Sequence, residues 1–89
     1  MAHIERITQV TDELVRAFER LMPQLTTYAP PPGWVVLQAI VSNAGSSLFV
    51  ARAPGGEIIG SATLGTFTSP TGTHAWIEDV IVDENWRGQ

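Results

Sequence analysis

At 89 residues, with 44% hydrophobic and 16% charged side chains, the chain has the composition of one small folded domain and lacks the high charge and polarity of a disordered one. Its formal net charge is -4, and its cations are the scattered arginines Arg6, Arg16, Arg20, Arg52 and Arg87, so neither nucleic acid nor an anionic lipid surface is an expected partner. Cysteine is absent, which excludes a disulfide framework, a thiolate metal site and a cysteine nucleophile and points to a reducing compartment.

The opening residues Met1-Ala2-His3-Ile4-Glu5-Arg6 lack the basic and then apolar run of a signal peptide, and a cytoplasmic location is expected. The β-branched residues over 3–8 predict a short strand. Thr11 can cap a helix, Asp12 and Glu13 suit its first turn, and Leu14, Ala17, Phe18, Leu21 and Leu25 recur at helical spacing; a helix over 11–25 follows, with Pro23 ending or kinking its last turn. Tyr28 and the run Pro30-Pro31-Pro32 make a stiff connection. A second helix is predicted over 32–42 from the spacing of Trp34, Leu37, Ile40 and Val41.

Strands are predicted over 47–52, 57–67 and 74–83, joined by the turns Ala53-Pro54-Gly55-Gly56 and Ser69-Pro70-Thr71-Gly72 into an antiparallel meander. Gly60 and Gly65 inside the middle strand predict a bulge or a close approach by another group. Strict alternation along the last strand places Trp76, Glu78, Val80 and Val82 on one face and Ile77, Asp79, Ile81 and Asp83 on the other. The class is therefore α+β, in the order β-α-α-β-β-β.

This order, and above all the run Ile77-Glu78-Asp79-Val80-Ile81-Val82-Asp83-Glu84-Asn85-Trp86-Arg87-Gly88-Gln89, resembles the N-terminal half of the GNAT superfamily of N-acetyltransferases over essentially the whole chain. In that family the fourth strand leads into a loop of the pattern Arg/Gln-x-x-Gly-x-Gly/Ala. Arg87 matches the first place, and Gly88 and Gln89 match the variable places after it. The glycines of such a loop let consecutive backbone N–H groups and a helix N-terminus hold the diphosphate of coenzyme A. The chain stops one residue short of the first of them, so residues 1–89 are expected to form a single, partial acetyltransferase domain.

The resemblance implies acetyl-CoA as cosubstrate, no metal, and a small-molecule or peptide amine as acceptor. It implies that the backbone of Val80, Ile81 and Val82 pairs with the pantetheine arm like an added strand, with the N–H near Ile81 polarising the thioester carbonyl. Glu78 matches a glutamate that serves as base in polyamine-acetylating members, and an apolar, buried neighbourhood would raise its pKa. The family's usual acid is a tyrosine of the second half, a part that Tyr28 does not match. Tyr28 and Trp76 are candidate acceptor-binding residues.

Each of these residues also has a plainer reading. Glu78 can be a solvated carboxylate, Tyr28 part of a spacer, and Trp34, Trp76 and Trp86 packing groups. His3 and His74 lack an oriented acid or nucleophile in the sequence, and Asp79, Asp83 and Glu84 match no calcium loop. The alternative to an enzyme is a non-catalytic half-domain that associates with itself or with the missing C-terminal half, because a free sheet edge and an open apolar face seek partners.

Overall fold

The computed structural model describes residues 2–87. The elements run β1 (His3–Arg6), α1 (Asp12–Leu25), α2 (Trp34–Ser42), β2 (Ser46–Arg52), β3 (Ile58–Ser69) and β4 (Gly72–Val82), followed by a 3-10 turn at Glu84–Trp86. The strands form one antiparallel sheet in the order β1-β2-β3-β4, so the α+β class and the β-α-α-β-β-β order predicted above hold. No helix among the described residues is long and apolar enough to cross a membrane.

α1 begins where its sequence says it should. The Thr11 hydroxyl accepts from the Leu14 N–H at 3.1 Å, and Asp12 and Glu13 occupy the first turn, where their charge complements the helix dipole. Pro23 lies within the last turn without ending the helix there. The stripe Leu14, Ala17, Phe18 and Leu21 is buried and meets Leu48, Val50, Ile58 and Ile81 of the sheet, with Leu37 of α2. α2 begins at Trp34 rather than at residue 32, because Gly33 takes an extended backbone (φ -85°, ψ -172°) and serves as its N-cap. Leu37 is its one buried residue.

The β3–β4 hairpin is longer than the sequence suggests, its ladder closing at Ser69 and Gly72. The larger difference is in β4 itself. Ser61 pairs with Ile81 and Thr63 with Glu78, so Asp79 and Val80 together stand opposite Ala62 alone. This is a β-bulge, and Asp79 takes the left-handed φ of 49° that an extra residue in a strand can require.

The bulge reverses the alternation beyond it and corrects the predicted face assignment. Residues paired across the ladder share a face, so Glu78 and Trp76 share theirs with Ile81, whereas Val82 lies with Ile77 on the other. Ile81 thereby enters the core beneath α1, 3% exposed. The face away from the helices carries Ile4, Phe49, Ala62, Leu64, Ile77 and Val82, and these line an open apolar groove of about 320 Å³.

Candidate functional site

The bulge lies beside the C-terminal end of α1, and between them is a cavity of about 310 Å³ lined by Gln24, Leu25, Val80, Ile81, Val82 and Arg87. Two ties fix this junction. The Glu84 N–H donates to Gln24 Oε1 at 2.7 Å. Arg20 donates to the Ile58 carbonyl and places its Nε 3.5 Å from Asp83 Oδ2. Asp83 is itself buried, and its other oxygen caps the 3-10 turn by accepting from the Asn85 N–H at 3.0 Å. Its carboxylate is thus engaged in structure, and among the described residues no group of three acidic, histidine or cysteine side chains gathers as a metal site would.

The ladder determines which peptide groups reach the cavity. The Asp83 N–H donates to the Ile59 carbonyl at 2.8 Å, while Val82 pairs with Gly60. That makes Val82 and Gly60 a non-hydrogen-bonded pair, in which each residue turns its own N–H and C=O away from the partner strand. β4 is the edge strand among the described residues, so the peptide groups of Val82 point outward from the sheet edge. Arg87 Nε donates to the Val82 carbonyl at 2.9 Å. By the same alternation Ile81 turns its N–H towards Ser61.

The structure brings some of the predicted residues together and separates others. Val80, Ile81, Val82 and Arg87 line the one cavity. Glu78 and Trp76 lie on the helix-side face further along β4, and Glu78 is exposed, so the apolar burial anticipated for it is missing among the described residues. Tyr28 is 98% exposed in the connection between the helices and does not line the cavity. Gly88 and Gln89 lie outside the described residues.

Sequence reading missed Gln24 and Leu25 as cavity walls, because their role depends on where α1 ends against β4. It also missed the partners of Trp76. The signal for those was Gly65, which the indole of Trp76 covers so closely that a Cβ there would come within 2.8 Å of the ring. The bulge on β4 had a weaker signal, an aspartate in mid-strand, one of the few residue types that enter positive φ readily.

With this geometry in place, comparison with known proteins is decisive for the family. Residues 7–89 match the Acetyltransferase (GNAT) family. The chain belongs to that family. An acetyltransferase of Trypanosoma brucei is 30% identical, with a TM-score of 0.71 over 99% of this chain and 64% of its own. An aminoglycoside acetyltransferase from an uncultured soil metagenomic sample is 26% identical in two crystal structures. Its complex with trehalose gives a TM-score of 0.73 and its complex with sisomicin 0.72, each over 99% of this chain and 60% of the other. Comparison with curated proteins gives no significant match. The chain therefore spans 60% to 64% of the length of these structures.

Proposed function

We propose that this GNAT chain is part of an acetyl-CoA-dependent N-acetyltransferase that passes acetyl to a primary amine by direct attack. The observation that carries the reading is the bulge at Asp79 beside the cavity, with the peptide groups of Val82 facing the free edge. An edge of this kind suits an extended, amide-bearing arm such as pantetheine, which can pair with it as a short strand. Arg87, Gly88 and Gln89 lead towards the diphosphate of the same cosubstrate in this reading. Val80 and Ile81 form the wall at the thioester, and the polarising N–H comes from a residue next to Ile81.

In the reaction, the amine nitrogen bonds to the thioester carbonyl carbon, the carbon–sulfur bond breaks, and coenzyme A leaves as the thiolate, which takes up the second proton shed by the attacking nitrogen. Glu78 takes the proton of the acceptor ammonium through water, and Trp76 and Tyr28 stand on the acceptor side. The complexes of the soil aminoglycoside acetyltransferase with trehalose and sisomicin favour a small-molecule acceptor and put amines borne on saccharide rings first in a substrate panel.

The test is steady-state kinetics of the intact protein with acetyl-CoA and such a panel. Glu78→Gln is expected to lower kcat by roughly 100-fold, the lower end of general-base effects, with a smaller change in KM. A pH–rate profile identical to that of the wild type removes Glu78 as the base.

A second reading is favoured by the open apolar face of the sheet and the free edge of β4. On that reading the chain is a half-domain whose purpose is association with a second copy or with the remainder of a GNAT fold.

A further inference from the structure

Between residues 53 and 86 the sequence has no lysine or arginine, while Glu78 and Asp79 stand on β4. On this hairpin, three rings gather on the helix-side face. Phe67 pairs with His74, and Gly65 with Trp76, in the same alternation that carries Thr63 and Glu78. The Phe67 and His74 rings stack at 5.0 Å and 24°, and Phe67 meets Trp76 edge-on at 5.5 Å and 62°. His74 Nε2 lies 2.9 Å from Ser69 Oγ and 3.1 Å from Thr71 Oγ1, which pins the imidazole at the end of the hairpin. Trp76 is pinned from below by its contact with Gly65.

These rings are fixed in orientation yet left wet. Phe67 is 52% and Trp76 43% exposed. Ordered aromatic faces that no core covers suit a ligand, because the ordering cost is met before binding. Their chemistry selects the charge of that ligand. The π faces and the carboxylate of Glu78 attract a cation and repel an anion.

The geometry points to a shelf, Phe67–His74–Trp76, that seats a cationic ring bearing two ammonium groups, one over the aromatic faces and the other at Glu78. Trp76 and Glu78 are two residues apart on one face, about 6–7 Å along the strand, a span that a 1,3-diaminated six-membered ring with its hydrogen-bonding reach can bridge. This deepens the acetyltransferase reading above and rests on it for the identity of the reacting amine. The shelf itself is a binding surface that can be measured without catalysis.

The probe is 2-deoxystreptamine, a cyclitol with two ammonium groups, against inositol, a cyclitol with none. In the intact protein, the diamine is expected to perturb a tryptophan fluorescence signal that Trp76→Phe removes, and inositol to leave it unchanged. Trp76→Ala and Phe67→Ala are each expected to weaken diamine binding roughly 5- to 30-fold, the range of cation–π contacts that are partly desolvated, without altering affinity for acetyl-CoA. Phe67→Leu, which keeps an apolar side chain, guards against misfolding and should also weaken the diamine.

Equal diamine affinity in the wild type and the aromatic variants overturns the proposal. So does protection of the Trp76 indole from acrylamide quenching in the ligand-free protein, which would mean that another segment or a second copy covers the shelf. If the diamine binds as expected but no amine is acetylated, the reaction falls and the shelf stands. If acetyl transfer proceeds and Trp76→Ala leaves KM unchanged, the shelf falls and the reaction stands.

Discussion

Two glycines of β3 do different work at close quarters. Gly65 makes room for the Trp76 indole, and Gly60 makes room for backbone, since a Cβ there would lie 2.9 Å from the Ile81 carbonyl oxygen. A flexible side chain can move aside more readily than a strand held in a ladder. Gly60→Ala is therefore expected to destabilise the chain by about 1–3 kcal/mol, the usual cost of overpacking, and to disturb β4 next to the bulge. Urea unfolding of Gly60→Ala beside Gly55→Ala, where a Cβ meets nothing within 4 Å, checks this; equal midpoints would show that β4 yields freely. Asp79 completes the local picture, because its positive φ sits where the ladder changes phase.

Among the elements, α1 does most to organise the sheet. Its apolar stripe forms the core, its C-terminal end walls the cavity, and Glu13 near its start reaches β2. The Arg52 guanidinium donates to both Glu13 oxygens at 2.8 and 3.0 Å and to Glu5 at 3.1 Å, which ties β1, α1 and β2 together. The hydrogen bonds from Arg52, with its charge, hold the Glu13 carboxyl below the usual carboxylate range against a smaller opposing effect of burial, and the same contacts raise the guanidinium further. A lowered carboxylate pKa stabilises the fold above the unfolded value of about 4.3, and that contribution is lost as pH falls through the folded value. The pair is half open to water, so its worth is at most about 1 kcal/mol. Urea midpoints of wild type and Glu13→Gln should differ at pH 7 and converge as pH drops below about 4; a constant gap across that range would assign the difference to something other than ionisation.

At the scale of the whole molecule, one face of the sheet is covered and the other is not. Both helices contribute to the covered side, through Leu14, Phe18, Leu21 and Leu37. The opposite face leaves Ile4 and Ile77 more than 60% exposed around the apolar groove, and among the described residues β4 adds an unpaired edge. Apolar surface of this kind is costly in water and drives association. The 89-residue chain by itself is expected to sediment as a dimer or larger species at micromolar concentration, and Ile77→Glu is expected to shift it towards monomer. A monomeric wild type would remove the association reading and leave the open face without that role.

Local rules were enough for much of this protein. The cap at Thr11, the stripe from Leu14 to Leu21 and the turn at Ala53-Pro54-Gly55-Gly56 are short-range features, and with the run from Ile77 to Gln89 they made the class, the order of elements and the resemblance to the GNAT family legible before any tertiary contact was known. The arrangement around the candidate site depended on pairing between distant strands. A single extra residue in β4 moves every later side chain to the other face, and no local pattern announces it beyond an aspartate in mid-strand. Only the tertiary structure could therefore decide that Glu78 shares a face with Ile81, that Val82 turns its peptide to the free edge, and that Phe67 and His74 meet Trp76, because each follows from the ladder between β3 and β4 and from the place where α1 crosses it.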